Sequence, residues 1–252
     1  MPLAALALTA GVSCGTGKNA EEGVKGRPNI LLILADDLGY SDLGCYGGEV
    51  HTPNLDRLAQ NGLRFSRFYN AGRSCPTRAS LLTGLYPHQA GIGRMTFDDH
   101  LPGYRGTMTH NGVTIAEALK QNGYQTGMIG KWHVAETPLR TDQREWLAHQ
   151  VQHEEFAPKE NYPTHRGFDN FYGTIYGVVD YFDPFSLVNG EEPVKDVPAG
   201  YYSTIALSDS AVSYIGRYAK SEKPFFMYLA YHSPHWPLHA VEEDIKKYED
   251  VY

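Results

Sequence analysis

The chain has 252 residues, which is enough for one large domain or two small ones and for a sizeable buried core. Hydrophobic residues make up 42% and charged residues 20% of it, proportions that are ordinary for a soluble globular protein. The formal net charge is −7 and no run of lysine or arginine reaches five residues. A nucleic-acid partner is therefore not expected, because phosphate binding requires a basic face.

Residues 1–26 have the pattern of an export leader followed by a tether. Residues 3–10 form an apolar run that is far too short to span a bilayer. Residues 10–14 resemble a bacterial lipoprotein cleavage site, and the polar, glycine-rich stretch after Cys14 suits a tether. We therefore predict an exported protein, periplasmic or anchored to the outer membrane through a lipid on Cys14. No lysine or arginine precedes the apolar run, so a start further upstream or a merely hydrophobic N-terminus stays open.

The rest of the chain, residues 27–252, alternates short apolar runs with helical patterns, which predicts an α/β fold. Residues 30–35 are a continuous apolar run, as expected of a central strand covered on both faces. Thr52 and Pro53 predict the start of a helix that ends at Gly62. The residues predicted to face inward from this helix are Leu55, Leu58 and Ala59.

The next predicted helix and strand follow each other directly. Thr114 and Glu117 can form a capping box, which predicts a helix that ends at Gly123. Residues 124–130 are the strand that follows it. The residues predicted to line one face of the helix are Ile115, Ala118 and Leu119.

The last predicted pair is a long helix and a buried strand. The helix is predicted over residues 203–219, and the strand is predicted over residues 225–230, after Pro224. Residues 136–200 show only weak periodicity and are predicted to be long loops, of the kind that often shape a substrate pocket. The residues predicted to line the inner face of the helix are Ile205, Val212, Ile215 and Ala219.

Polar residues come immediately after each of the three predicted strands in the sequence. In open α/β sheets ligands bind at the carboxyl ends of the strands, so three strands would deliver these side chains to one edge. That convergence predicts an active site at this edge. The sheet itself is predicted to have helices on both faces. The residues are Asp36 and Asp37 after the first strand, Lys131 and His133 after the second, and His232 and His235 after the third.

Taken singly, each of these features also has a plain structural explanation. Asp36 and Asp37 could form a turn and a helix cap. Lys131 and His133 could be a solvated strand end, and His235 could be a packed loop histidine. These explanations lose force because all of them would have to hold together.

The segment from Ser74 to Gly84 predicts a helix whose start can bind an anion. Pro76 suits the first turn of a helix and Gly84 suits its end. Ser74 would lie just before the helix N-terminus, where free N–H groups and the helix dipole favour a developing negative charge. Arg78, one turn further along, can reach back to an anion at the same place. The structural interpretation of this segment is a well-formed helix start. The functional interpretation is a nucleophile next to an anion-binding site.

These motifs together resemble type I sulfatases, the formylglycine-dependent, arylsulfatase-like hydrolases of the alkaline phosphatase superfamily. Residues 74–78, Ser-Cys-Pro-Thr-Arg, followed by Thr83 and Gly84, resemble the sulfatase signature, here of the serine type. The resemblance covers nearly all of residues 28–252 and implies an alkaline-phosphatase-like sandwich with a central, largely parallel sheet. Four further stretches are similar to family segments: residues 29–48 to the first strand and metal pair, 130–133 and 233–238 to the sulfate-binding segments, and 167–173 to a segment without an assigned role.

The resemblance implies a metal site and a modified nucleophile. Asp36 and Asp37, with the residue formed at Ser74, would bind a divalent cation, usually Ca²⁺, which prefers hard carboxylate oxygens. Ser74 would be oxidised by a maturase to formylglycine, whose hydrated aldehyde is the nucleophile, and Arg78 would hold that diol. Many family members carry Cys at this position. Counting back from Arg78 fixes the register, so Ser74 and not Cys75 is the predicted precursor.

The resemblance also implies how the sulfate is held. Lys131 and His235 would bind it, and one of them would help to protonate the leaving oxygen. His133 would bond the second hydroxyl of the diol. The family's later Asp-Asn metal pair, a further lysine and a C-terminal subdomain have no counterpart, so residues 27–252 are expected to be the N-terminal portion of the catalytic domain.

The predicted function is hydrolysis of an organic sulfate ester, carbohydrate or aryl. The expected partners are a sulfated small molecule or glycan and a formylglycine maturase. Two alternatives stay open. One is a phosphonate or phosphate diesterase of the same superfamily, and the other is a non-catalytic surface lipoprotein that binds sulfated glycans.

Overall fold

The computed structural model describes residues 26–137 and 156–250, so the predicted leader with Cys14 lies almost wholly outside the described residues. The described strands are β1 Ile30–Asp36, β2 Gln125–Gly130, β3 Asn170–Thr174, β4 Leu187–Asn189, β5 Glu192–Pro193 and β6 Phe225–Pro234. They form one sheet in the order β1-β6-β2-β3-β4-β5. The first four strands in this order are parallel, and β4 and β5 add an antiparallel hairpin. The predicted α/β class with a largely parallel sheet is confirmed.

Helices pack on both faces of this sheet, as predicted. The helices are α1 Pro53–Asn61, α2 Ser74–Thr83, α3 Ile115–Gln121, α4 Ser203–Tyr218 and the short α5 Glu242–Ile245. Successive side chains of a strand point to opposite faces, and β6 uses both faces fully. Phe226 and Tyr228 pack with α2 and α3 on one face, and Met227 and Leu229 pack with α4 on the other. None of the helices in the described ranges is long and apolar enough to cross a membrane.

The central strand is β6, which pairs in parallel with β1 on one side and with β2 on the other. The three predicted strands are therefore neighbours in one sheet. The prediction that residues 30–35 are covered on both faces is wrong, because Leu31 is 46% and Ile33 is 49% exposed. The opposite face of β1 packs on the core through Ile30, Leu32 and Leu34. Helix α4 packs over β6, β2 and β3, and it leaves the outer face of β1 uncovered by described residues.

Two of the predicted helix faces are wrong. Helix α4 buries Ser203, Leu207, Ala211 and Tyr218, whereas the predicted Val212 is 71% exposed and Ile205 and Ala219 are also exposed. Only the predicted Ile215 packs against the core. Ser203, Leu207 and Ala211 recur every four residues, so they share the helix face that packs on the sheet, and the β-branched residues Ile205 and Val212 lie off that face. Helix α1 buries none of its residues, so the predicted inward positions Leu55 and Leu58 are exposed.

The capping box that was predicted for α3 is confirmed. The Thr114 hydroxyl accepts from the Glu117 N–H at 3.0 Å, and the Glu117 carboxylate accepts from the Thr114 N–H at 2.7 Å. The predicted face is right for Ile115 and Leu119 and wrong for Ala118, which is exposed while Ala116 is buried.

The region predicted as long loops, residues 136–200, contains β3, β4 and β5. Residues 138–155 of this region lie outside the described residues. The family-like stretch at residues 167–173 has a structural use here. Its Gly167 has φ +91°, and a Cβ there would lie 2.3 Å from the Glu117 nitrogen of α3. Neighbouring Arg166 is buried and bonds Glu117, so this stretch joins α3 to β3.

Gly130 at the end of β2 fixes how the next residue leaves the sheet. Its φ is +107°, and a Cβ at this position would lie 1.9 Å from the carbonyl oxygen of Ala230 in β6. Only glycine tolerates both the positive φ and this close approach. The Lys131 N–H then donates to the same Ala230 oxygen at 2.8 Å, which directs the Lys131 side chain under the carboxyl edge of the sheet.

Candidate active site

Asp36, the last residue of β1, is a buried carboxylate shared by two cations. Its Oδ1 lies 3.2 Å from Arg78 Nη2, and its Oδ2 accepts a hydrogen bond from Lys131 Nζ. Arg78 and Lys131 are both fully buried. Two positive charges against one negative charge leave this cluster with a net excess of +1, which is a suitable environment for an anion.

The Ser74 hydroxyl joins this cluster from the first turn of α2. It donates to Asp36 Oδ1 at 3.1 Å and accepts from Arg78 Nε at 3.0 Å. Arg73 is the N-cap residue, so Ser74 is the first residue inside the helix and not, as predicted, the residue before it. The four-residue separation of Ser74 and Arg78 places them on one helix face, as predicted.

The Arg78 guanidinium donates hydrogen bonds to two groups besides the serine. Its Nη1 donates to the Lys131 carbonyl at 2.9 Å and to the Tyr228 hydroxyl at 3.3 Å. Its Nη2 is buried and, although close to Asp36, makes no hydrogen bond of good geometry to any described residue. An anion next to Ser74 would satisfy that N–H.

The charges of the cluster shift the pKa values of Asp36 and Lys131. Burial alone would raise the pKa of Asp36, but Arg78 and Lys131 outweigh burial and lower it to about 2. Burial and the Arg78 charge lower the pKa of Lys131, against the opposing effect of Asp36. Lys131 is therefore a stronger acid than an ordinary lysine and is suited to release a proton.

His235 and Asp37 form the outer part of the site. His235 Nε2 lies 3.5 Å from Asp37 Oδ2, so both residues are at the same sheet edge, as predicted. His235 Nδ1 is 2.5 Å from the Trp236 carbonyl oxygen, which can only accept, so Nδ1 carries a hydrogen. That hydrogen bond leaves Nε2 facing the site, where it can act as an acceptor or, when protonated, as a donor.

His133 lies behind this edge as a buried, neutral imidazole. Burial and the charges of Lys131 and Arg78 lower its pKa well below the ordinary value. Its Nδ1 has no hydrogen-bond partner among the described residues, and its ring packs against the backbone of Gly177. His133 therefore lies in the field of the cluster but makes no direct hydrogen bond to Ser74 in the described structure.

The Cys75 thiol, beside Ser74, makes no hydrogen bond to Asp36, Arg78 or Lys131 in the described structure. Cys75 is fully buried in the core, with its Sγ 3.8 Å from Met95 Sδ, and burial raises the pKa of its thiol to about 12. Ser74 is only half-buried. The side chain that hydrogen-bonds the cluster is thus that of Ser74, and its role as the precursor stays a prediction.

The donors present fit part of a calcium shell. The carboxylates of Asp36 and Asp37 and the oxygen at Ser74 are hard donors of the kind that Ca²⁺ prefers, but Ca²⁺ takes roughly six to eight oxygens. Within residues 26–137 and 156–250, no three histidine, cysteine, aspartate or glutamate side chains are placed together to hold a metal ion. Asp36 also has both oxygens bonded to cations, and Asp37 is mostly exposed.

Sequence reasoning missed two contributors to the site. Tyr228, which bonds Arg78, was hidden within an apolar run that predicted only a strand. Tyr181 lies in the weakly patterned region, and its hydroxyl bonds the carbonyl oxygens of His232 at 2.9 Å and His235 at 2.6 Å. His232 was noted but given no role. Its Nε2 lies 2.7 Å from Thr174 Oγ1, and because the Thr174 hydroxyl donates its hydrogen to the Tyr176 carbonyl oxygen, Nε2 is the donor of this pair. Burial lowers the pKa of His232 to about 3.

The architecture and site place the chain in a known structural class. The structure of yidJ from Bacteroides fragilis superposes with a TM-score of 0.73 at 26% identity over 94% of this chain and 50% of that chain. The structure of Ps i-CgsB in complex with k-i-k-neocarrahexaose has a TM-score of 0.72 at 33% identity, and covers 90% of this chain and 49% of that chain. The fold is the alkaline-phosphatase-like fold, which confirms that prediction.

Sequence comparison also identifies the family to which the chain belongs within that class. The family model named Sulfatase matches residues 28–252. The arylsulfatase of Klebsiella aerogenes is 36% identical over 261 residues, an alignment that covers 98% of this chain and 51% of that protein. The chain belongs to the sulfatase family, as a type I sulfatase of the alkaline phosphatase superfamily. It spans about half the length of these relatives.

Proposed function

We propose that the protein hydrolyses sulfate esters and that the cluster around Ser74 is its catalytic site. The observation that carries the proposal is the Ser74 hydroxyl, held between Asp36 and Arg78 at the start of a helix. The cluster has one more positive than negative charge, and a buried Arg78 N–H lacks a hydrogen-bond partner among the described residues. An oxyanion of a sulfate group placed there would satisfy both.

The second part of the proposal is that Ser74 is the precursor of formylglycine. The hydrated aldehyde would supply a nucleophilic hydroxyl and a second hydroxyl that allows sulfate to be released. An unmodified serine would instead leave a stable serine sulfate. The chain's own residues orient this position, because Arg78 Nε and Asp36 Oδ1 already hold the oxygen at Ser74. Arg78 is fixed in turn by Lys131 and Tyr228.

Proton transfer in the proposed reaction is assigned to the groups that face the sulfate. Lys131 has a lowered pKa and can donate to the leaving oxygen. His235 presents Nε2 on the outer side of the site and can serve as the second donor. His133, neutral and with an unpartnered Nδ1 among the described residues, is suited to bond the second hydroxyl of the diol.

The proposed cofactor is a divalent cation, Ca²⁺. Asp36, Asp37 and the oxygen at Ser74 would hold it, and the metal would supply Lewis acidity and neutralise sulfate charge. Family membership supports this proposal, and the hard oxygen donors are consistent with it.

Substrate specificity separates this function from the rival within the superfamily. We expect kcat/KM for 4-nitrophenyl sulfate to exceed that for a 4-nitrophenyl phosphonate ester by at least about tenfold. Parallel assays on the full-length, matured protein measure this ratio, and a chelator arm with Ca²⁺ add-back tests the metal. Faster cleavage of the phosphonate would establish the diesterase. Glycan binding without turnover or formylglycine would establish the non-catalytic lipoprotein.

We also propose export with a lipid anchor at Cys14, supported by the leader pattern alone. Expression in a Gram-negative host should then place the protein in the membrane fraction. The Cys14→Ala variant should shift to the soluble fraction, whereas a Ser13→Ala control should not. Unchanged partitioning of Cys14→Ala would rule out the anchor.

A further inference from the structure

A large cleft opens directly beside the proposed catalytic site. Its volume is about 1280 Å³, whereas pockets for single drug-sized ligands are roughly 300–1,000 Å³. Val178, Val179, Asp180, Phe182 and Asp183 line it, and they follow Gly177, whose backbone packs on the His133 ring. Trp236 and Pro237, which follow His235 in the chain, line it as well. Both lining segments therefore begin next to a histidine of the site, and the cleft, here called the Trp236 cleft, has room for more than one sugar unit.

The wall of the Trp236 cleft is fixed relative to the site. The Tyr181 hydroxyl bonds the carbonyl oxygens of His232 and His235, and the Ser203 N–H of α4 bonds the Tyr181 carbonyl oxygen at 2.7 Å. Phe182 packs against the Tyr202 ring at 5.3 Å between centroids. A wall held in this way is organised before a ligand arrives, which reduces the ordering cost of binding.

Trp236 is the most prominent ligand-facing group of the cleft. It is 64% exposed, compared with 42% for Phe182, the other exposed aromatic residue among the described lining residues, and it follows His235 directly. Aromatic faces stack on the apolar faces of flat rings, and a tryptophan at the mouth of a polar cleft suits a sugar ring with C–H groups on one face and hydroxyls at its rim.

The charged groups of the cleft limit what else the ligand can carry. Among the residues that the structure describes, three carboxylates line it, those of Asp180, Asp183 and Asp196, together with one ammonium, that of Lys195. Carboxylate oxygens accept hydrogen bonds from sugar hydroxyls, but they repel a second sulfate or a uronate. The cleft thus differs in sign from the Ser74 cluster, which has an excess of positive charge.

We propose that the Trp236 cleft binds the sugar that carries the scissile sulfate, with Trp236 as its stacking platform, and that it favours neutral glycans with one sulfate. This inference rests on the proposed sulfatase function and specifies its substrate class. Trp236 is a specificity-determining residue and takes no part in the chemical step.

The test compares neutral disaccharides that carry one sulfate with the same sugars carrying two, using the full-length, matured protein. Trp236→Ala should lower kcat/KM on the monosulfated sugar by about tenfold, mostly through KM, and Trp236→Phe should restore most of it. The control Tyr86→Ala, at an exposed aromatic residue outside the cleft, should change little. The Asp183→Asn/Asp196→Asn pair should reduce the preference for the monosulfated sugar by about two- to fivefold.

A binding measurement separates failure of this inference from failure of the proposed function. Fluorotryptophan NMR, with the Trp236 signal assigned from Trp236→Phe, should show a shift on addition of the monosulfated disaccharide and not of inorganic sulfate. That shift without turnover of any sulfate ester would refute the sulfatase proposal and leave the cleft assignment standing. Turnover with no shift, or with unchanged kinetics in Trp236→Ala, would overturn the cleft assignment, as would a wild-type preference for disulfated sugars.

Discussion

Replacing Ser74 with alanine is expected to lower turnover of sulfate esters by at least about 10⁴-fold, the scale on which enzymes lose activity when a nucleophile is removed. The change deletes the oxygen that Asp36 and Arg78 hold at 3.1 and 3.0 Å. The fold should survive, because Ser74 is only half-buried and the lost hydrogen bonds contribute about 0.5–1.5 kcal/mol each. Steady-state assays and thermal unfolding of the full-length variant measure the two effects.

The neighbouring cysteine gives a matched control for Ser74→Ala. Cys75→Ala should keep most of the activity and lose about 1 kcal/mol of stability, because Cys75 is buried in the core beside Met95. Ser74→Cys should recover activity when a cysteine-type maturase is co-expressed. Full activity in Ser74→Ala would show that the nucleophile lies elsewhere.

Replacing Asp36 with asparagine is expected to cost both stability and turnover. Arg78 and Lys131 would be left buried without their shared counter-charge, and breaking a buried ion pair from one side costs about 3–5 kcal/mol. Turnover should fall to background as well, since Asp36 holds the Ser74 oxygen and is a proposed metal ligand. Denaturant unfolding measures the first effect and ester hydrolysis the second.

A double variant distinguishes the two effects of Asp36→Asn. In Asp36→Asn/Lys131→Met one buried positive charge is removed together with the carboxylate, so part of the lost stability should return while turnover stays at background. Asp209→Asn, at an exposed position of α4, should change neither quantity. A stable Asp36→Asn variant would show that the buried cluster has another source of charge compensation.

The sequence was sufficient to predict the parts of the fold that short-range pattern determines. Continuous apolar runs located β1, β2 and β6, and the capping box located the start of α3. The parallel-sheet rule then brought Asp36, Lys131 and His235 to one edge, which the structure confirms. Their catalytic and metal-binding roles remain predictions, because geometry alone does not test them.

Other features depend on long-range packing that local pattern does not contain. A run of apolar residues gives no information on which of its faces a helix will cover, so the exposure of Leu31 and Ile33 in β1 could not be predicted. The buried face of α4 follows small residues such as Ser203 and Ala211, which have a weak hydrophobic signal. Tyr228 could not be predicted as a site residue, because the hydrogen bond between its hydroxyl and Arg78 depends on the packing of β6 against α2.

The central claim is that Ser74 is the modified nucleophile, and mass spectrometry of the peptide spanning residues 74–78 of the active enzyme tests it most directly. Arg73 precedes this peptide and Arg78 is its last residue, so trypsin, which cleaves after arginine, releases it. We predict the loss of two hydrogens at Ser74, with an intact thiol at Cys75, and the capture of the aldehyde by a hydrazide at the first residue. An active enzyme with unmodified Ser74, or with the aldehyde at Cys75 and sulfur exchanged for oxygen, would contradict the assignment.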